Sequence, residues 1–413
     1  MNDTIGALEN KLDELTRVKV FDDDVKSGVD SLLGSMPNPD EERDPETRVR
    51  LLVLRCKALT LLPVFSMEAE RDCSAALKLR HDRPDLWVLL SECLSRRRAT
   101  REACDALDHA LRLDAANVEA LCQYSRLLRG LSADPAVPAV ERRRYLFEAV
   151  ERGKAAATAS PDRADGWHSY AIALLSAALA DGVDLGGVRR AALAMRQAAA
   201  LAGTDPDVRF NKAALEGLLG HFGTAACDLL AAHEADSRRL PGTLQLLEDH
   251  IAILRRAHSR IDSAQQTGKR AFAALLAKLP PTAEGATTKN LLGGQTKNNC
   301  RITVGVVDVL SESTMEPMVV LAAEKNGEFV LLLFYGLQRN AIKINDTIIA
   351  LSFPDSTVVR VQHNVPAIPL LDSSSFESTY TQVFVDLKTT LVNGSPVPAR
   401  MLLPPRISSR LFV

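Results

Sequence analysis

A chain of 413 residues is longer than one ordinary hydrophobic core serves, so two or more folding units are expected. Its 46% hydrophobic and 25% charged residues are those of a soluble globular protein. A net charge of −2 argues against a surface given over wholly to nucleic acid or lipid, and leaves only local basic patches for such contacts. No apolar run approaches the ~20 residues of a membrane-spanning helix, and the acidic, amphipathic start MNDTIGALENKLDEL does not read as a secretory signal. The seven cysteines include no CxxC pair, and six of them (Cys56, Cys73, Cys93, Cys104, Cys122 and Cys227) fall on predicted helices. Reduced, mostly buried thiols in a cytosolic or nuclear compartment are the expectation.

In chain order, Ile5, Leu8, Leu12 and Leu15 fall on one stripe of a helix predicted over residues 5–19, placed to cover the open end of a helical array. Residues 35–45 read as a loop by their Pro and charge content. Trp87, Leu90, Ser91 and Leu94 then line one helix face, and Ala103, Leu107 and Ala110 line a second. The pattern restarts at Leu121, Tyr124, Ser125 and Leu128. Trp87 and Leu121 stand 34 residues apart, the period of a tetratricopeptide repeat, whose small residues let two helices pack closely. Val53 with Ala69 and Ala76 fits the preceding repeat in the same phase. The next large residue at that position, Trp167, comes 46 residues after Leu121. An insertion of 12 is therefore expected, in LSADPAVPAVERR at 131–143. Ala149, Ala156 and Pro161 complete that repeat. Asn211, Ala213, Gly220, Phe222, Ala225 and Ala232 make a further one, after a second insertion at 180–187, and one long helical stretch is predicted over 243–278.

Near residue 280 the composition changes. A linker rich in Gly, Pro, Thr and Asn covers 281–300. From Arg301 the β-branched runs RITVGVVDVL, EPMVVLAAE, GEFVLLLFYGL, DTIIALSF, STVVRVQHN and QVFVDLKTTLVNG read as five to seven short strands. Asn326-Gly327 and Asn393-Gly394 signal hairpins. The expected domains are a helical repeat region over 1–280, the linker, and a small barrel or sandwich over 301–413.

Catalytic signatures are absent. The eight histidines are scattered without metal-ligand spacing, and His363 reads as a lone surface or loop residue. There is no GxxxxGK[ST] loop and no GxSxG elbow, and Gly293-Gly294-Gln295 is a weak match in a linker. No catalytic residue, metal, cofactor or small-molecule substrate is expected, and an enzyme is the least favoured class. Phe329, Phe334 and Tyr335 would be stacking candidates for single-stranded nucleic acid, but their apolar run reads as core.

The motifs LLRGL at 127–131, DGWHSYAIALLS at 165–176, DPDVRFNKAAL at 205–215, INDTIIALSFPDSTVVRV at 344–361 and LVNGSPV at 391–397 carry a resemblance to the tetratricopeptide repeat protein five family. It implies an N-terminal all-α repeat solenoid and a C-terminal all-β OB-like barrel. It also implies two roles. One is recognition of the nascent N-terminal Met-Arg-Glu segment of tubulin at the ribosome, with recruitment of an mRNA-decay adaptor. The other is a nuclear scaffold for a stress-response transcription complex with a histone acetyltransferase. Both compartments, cytoplasm and nucleus, follow from it. On the family's pattern, Arg129 and Asp207 would contact the peptide, and Lys269 and Arg270 would lie near the ribosomal RNA contact. A further acidic contact would fall near Pro241, with Glu248 as its replacement here. The repeat phase itself puts Glu92, Ser95, Cys122, Arg126, Arg129, Asp165, His168, Asp207 and Phe210 on the concave face, Arg earlier and Asp later. That face suits a peptide bearing both charges. It lacks the Lys and Asn clamp of chaperone-tail adaptors.

Overall fold

The computed structural model describes residues 2–17, 23–236, 240, 242–281, 287–292, 301–311, 317–351, 358–365, 375–387 and 389–402. The chain divides into two compact units, Met1–Ala177 with Ala200–Ala202, and Ala178–Ala199 with Gly203–Val413. Residue 280 therefore marks a change of secondary structure inside the second unit, because the last helix pairs and the strands belong together there.

The first unit is built from α1 (Asn2–Arg17), α2 (Asp23–Ser35), α3 (Pro45–Thr60), α4 (Met67–Leu79), α5 (Pro84–Arg96), α6 (Thr100–Leu113), α7 (Val118–Ala133), α8 (Ala139–Ala159) and most of α9 (Ala164–Ala178). Local chemistry sets the starts. The Asp44, Ser66 and Asn117 side chains accept from the backbone N–H three residues on, and Pro45 and Pro84 open α3 and α5. Ile5, Leu8 and Leu12 are buried, the leucines against Val25, Val29, Leu32 and Leu54, so α1 covers the end of the repeats as its stripe predicts. Ala69, Cys73 and Ala76 of α4 interleave with Val49, Leu52 and Cys56 of α3 and with Leu86 of α5. The two tryptophans make one repeated bond: Trp87 Nε1 donates to the His81 carbonyl at 3.0 Å, and Trp167 Nε1 to that of Pro161 at 2.9 Å.

The first insertion is mostly helix. Whereas α5 and α6 have 13 and 14 residues, α7 and α8 have 16 and 21, and only 134–138 connect them. The second insertion is split, 179–184 forming the connection and 185 onward opening the next helix.

Helix α5 ends on Arg98 in the left-handed region, φ 64°, with Ala99 N–H reaching back to the Leu94 carbonyl at 2.9 Å. The same closing bond, His221 N–H to Glu216 O at 2.8 Å, comes after Gly220 at φ 76° in a later repeat. A glycine is the residue suited to this site, because a Cβ there crowds the following carbonyl. Arg98→Gly is expected to raise stability by about 0.5–1 kcal/mol, read by urea denaturation; a loss of stability would mean that the Arg98 side chain contributes more than its backbone costs.

The second unit continues with α10 (Leu185–Ala202), α11 (Pro206–Leu218), α12 (Phe222–Ala235), α13 (Thr243–Gln266), α14 (Lys269–Lys278) and α15 (Thr288–Leu292). The single helix expected over 243–278 is thus two. It closes at Gly268, whose N–H bonds the Ser263 carbonyl at 2.6 Å. The strands are β1 (Arg301–Val309), β2 (Met318–Glu324), β3 (Phe329–Phe334), β4 (Thr347–Leu351), β5 (Val358–Val365), β6 (Phe376–Val385), β7 (Leu391–Val392) and β8 (Ser395–Pro396). They form one sheet in the order β5-β6-β3-β2-β1-β4-β7-β8, with β3 and β6 parallel and the other neighbours antiparallel. A closed OB-like barrel is not among the described pairings. Both hairpins sit where predicted, with Asn393 and Gly394 at positive φ turning β7 into β8.

All of β2 is buried, as its unbroken apolar run requires. One sheet face (Val319, Leu321, Leu331, Leu333, Tyr380 and Phe384) shares a core with Phe210, Phe222, Leu229, Ile251 and Leu254 of the helices. The other face holds Val304, Val306, Val320, Leu332 and Phe334. Phe329 is half-buried and stacks on Phe272 at 5.1 Å, and the Tyr335 hydroxyl donates to the Leu218 carbonyl, so this aromatic run packs against helices. At the β2–β3 turn, Lys325 Nζ donates to the Leu276 and Leu279 carbonyls at the end of α14. Glu324 accepts from the Thr288 N–H that opens α15, inside the expected linker.

His363 is corrected from a surface residue to a core one. It is 1% exposed, lies between Phe222 and Tyr380, and accepts from the Gly223 N–H at 3.3 Å. Burial, with the nearby His221 charge, pushes its pKa down to about 4. Because the folded value lies below the ordinary one of ~6.5, the neutral ring's contribution is complete above pH ~6.5 and is lost as the pH falls through about 4. His363→Gln is expected to flatten the loss of stability between pH 6.5 and 4 in denaturation series; an unchanged slope would remove His363 as its source.

Candidate functional site

On α7, Cys122, Arg126 and Arg129 recur at the spacing of one helix face, held by Tyr124, Ser125 and Leu128, which bury the opposite side. Arg126 is exposed, whereas Arg129 is drawn inward. Burial, and secondarily the neighbouring charge of Arg126, pushes the Arg129 pKa down to about 10. Its Nε is buried without a hydrogen-bond partner, and no carboxylate among the described residues pairs with it. A buried polar atom of this kind is normally hydrogen-bonded. Cys122 Sγ lies 3.6 Å from the Asp165 carbonyl oxygen, which joins this face to the start of α9.

The other sequence-selected residues have varied surroundings. Glu92 is half-buried and ion-paired with Arg96 at 3.4 Å, and Asp165 is exposed and paired with Arg163 at 2.7 Å. His168 is half-buried on α9. In the second unit, Asp207 stands in the first turn of α11, half-buried, its N–H bonded to Asp205 Oδ1 at 3.0 Å. Phe210 is corrected: at 4% exposure its ring belongs to the core with Phe222 and Leu229 and lines no open face. Glu248 is exposed on α13, and the position near Pro241 lies outside the described residues. Lys269 and Arg270 are exposed at the start of α14.

Several charged side chains of the helices are bound up in the fold. Asp308, 1% exposed beside a bulge in β1, accepts from Arg256 at 2.9 Å and Arg260 at 2.7 Å. Burial raises its pKa, and the two guanidiniums outweigh that and hold it below the ordinary carboxylate range. Arg97 pairs with Glu70 and Glu102, and Arg96 donates to the Leu62 carbonyl. A network that no repeat spacing reveals joins Glu216, 1% exposed, to Arg196 at 2.7 Å and His221 at 2.6 Å. Burial pushes that carboxyl up, but these partners bring it to about 2. Cys56, Cys73, Cys93 and Cys104 are buried as expected and Cys122 is half-buried, but Cys227 is exposed. Gly293-Gly294-Gln295 lies outside the described residues. Among the described residues no helix is long and apolar enough to cross a membrane, and no three His, Cys, Asp or Glu side chains are grouped to hold a metal ion.

No protein-family model matches the chain. It is 26% identical over 243 residues to Tetratricopeptide repeat protein 5 of Mus musculus, a match covering 58% of this chain. The chain is similar to this tetratricopeptide-repeat relative. The match takes in about half (54%) of the relative's own length. Similar solved structures include a thermophilic TPR protein of Thermus thermophilus, at 18% identity, covering 49% of this chain and 97% of that one with a TM-score of 0.39. Another is YrrB, a TPR protein with an unusual peptide-binding site, at 15% identity, 43% and 91% coverage, and a TM-score of 0.31.

Proposed function

We infer that the protein is a non-catalytic adaptor that recognises a short peptide, with Arg129 seating a peptide carboxylate. The observation that carries this is the half-buried Arg129, whose Nε is buried without a hydrogen-bond partner and which has no carboxylate of its own among the described residues, a charge that a Glu side chain satisfies with charge-assisted hydrogen bonds. The resemblance to the tetratricopeptide repeat protein five family makes the nascent tubulin N-terminus, Met-Arg-Glu, the first candidate. It brings Asp207 in as the partner of a basic group, and Arg126, Glu92, Asp165, His168 and Glu248 as further contacts. On the same basis Lys269 and Arg270 meet ribosomal RNA, an mRNA-decay adaptor is recruited, and the protein works in the cytoplasm and nucleus.

The test is fluorescence anisotropy with a labelled peptide beginning Met-Arg-Glu. Arg129→Ala is expected to weaken binding by ~2–5 kcal/mol. The free variant should unfold no more easily than the wild type, because an unpaired buried cation contributes nothing favourable to the fold. Asp207→Ala should weaken binding as well. Saturable binding that neither substitution alters sinks this assignment. No binding at ~1 mM protein, where even a weak complex is visible, moves the function to the nuclear scaffold of a transcription complex. Ribosome cosedimentation that survives Lys269→Ala with Arg270→Ala removes the RNA contact.

A further inference from the structure

The inserted part of α8 opens a stripe that is both apolar and basic and largely exposed. Counted back from their C-terminal ends, α8 is seven residues longer than α6, and those residues are 139–145. The fully buried residues of α8 begin only at Leu146, and of the added two turns Tyr145 alone is a hydrophobic packed against the core, half-buried. Along this stretch Val140, Arg143, Arg144, Phe147, Glu151 and Lys154 share one stripe. Val140 is 80% and Phe147 70% exposed, while Arg144, which lies over the Tyr145 ring, and Lys154 are exposed cations beside the single acid Glu151. Arg152, further along the helix, pairs with Glu148 at 3.2 Å and covers the Tyr124 ring.

We propose that this stripe of α8 is a docking site for an acidic amphipathic helix of a partner protein. Two apolar anchors one heptad apart, ~10 Å along the axis, match the i, i+7 anchors of a helix laid against another. Arg144 and Lys154 beside them select carboxylates on its flanks. A second copy of this chain would bring like charges together. A lipid surface would need a broader apolar face than two side chains separated by arginines.

The probe is a labelled Ala-based helical peptide with two Leu one heptad apart and flanking Glu, set against the same peptide with Lys for Glu. The full chain should bind the acidic peptide only, more weakly as salt rises. Phe147→Glu and Arg144→Glu should each weaken it tenfold or more (at least ~1.4 kcal/mol), with the helical circular dichroism unchanged. Phe147→Glu should leave binding of the Met-Arg-Glu peptide intact, so this site and the Arg129 assignment stand or fall separately. Equal binding of both peptides, or indifference to both substitutions, overturns the proposal. So does self-association in sedimentation that Phe147→Glu abolishes, or binding to phosphatidylserine vesicles without binding to the peptide.

Discussion

Removing Arg256 and Arg260 together, as Arg256→Ala with Arg260→Ala, should destabilise the second unit by about 3 kcal/mol. The reason lies with the partner they leave behind. Asp308 is 1% exposed, and each arginine donates to it through Nε. Without them a carboxylate remains in the core with its desolvation uncompensated, or must take up a proton. The figure sits at the low end for buried pairs because both guanidiniums are 34–49% exposed and so lose less on their own account. Urea denaturation of the full chain measures it. Adding Asp308→Leu to the pair should restore much of the loss, since the stranded charge goes with it. A loss under ~1 kcal/mol would mean that water reaches Asp308 and that the triad is an ordinary surface network.

The second large effect is steric. A Cβ at Gly166, in the first turn of α9, would lie 2.8 Å from the backbone of Ala156 and Ala157 on α8. A Cβ at Gly153 of α8 would lie 2.8 Å from the Tyr170 Cα of α9. The two helices approach backbone to backbone, with glycine on both sides of the contact. Elsewhere in a helix, replacing Gly by Ala gains about 0.5–1 kcal/mol. Gly130 of α7 has nothing within 4 Å of its would-be Cβ, so Gly130→Ala should show that gain. Gly166→Ala should show the opposite sign, a loss of about 2–3 kcal/mol, because main chain cannot swing aside as a side chain can. Thermal unfolding of the two variants side by side decides it; equal signs would refute the close approach.

Much of this fold is legible in local pattern. Small residues at fixed offsets place the helix pairs: Ala69 and Ala76 are buried against α3, and Trp87 and Trp167 make matching bonds. The strands follow from β-branched runs. Less legible is anything that depends on distant partners. Arg256 and Arg260 look like a solvated helix face, because their acid lies some fifty residues on, in a β-strand. Spacing alone locates the insertion at 131–143 and does not say that the good helix formers after Pro138 extend α8. The burial of His363 does have a signal in the sequence, in the alternation of β5. There Val359, Val361 and His363 alternate with Arg360, Gln362 and Asn364, so the ring shares the inward face. For the candidate site, sequence spacing puts Arg126 and Arg129 on one helix face. That only the second is drawn inward depends on packing around α7, and periodicity carries no such information.

The core shared by α11–α13 and the sheet bears on synthesis. Helix pairs of the first unit meet partners close by in sequence and can close as they leave the ribosome. The apolar faces of Phe210, Phe222, Ile251 and Leu254 must wait for Tyr380 and Phe384. At ~5–20 residues per second that wait is roughly 6–25 s, long beside the microseconds of chain collapse. During it the half-made second unit exposes a greasy surface while the first is already native. The misfolding hazard of the nascent chain is therefore concentrated in the middle of translation.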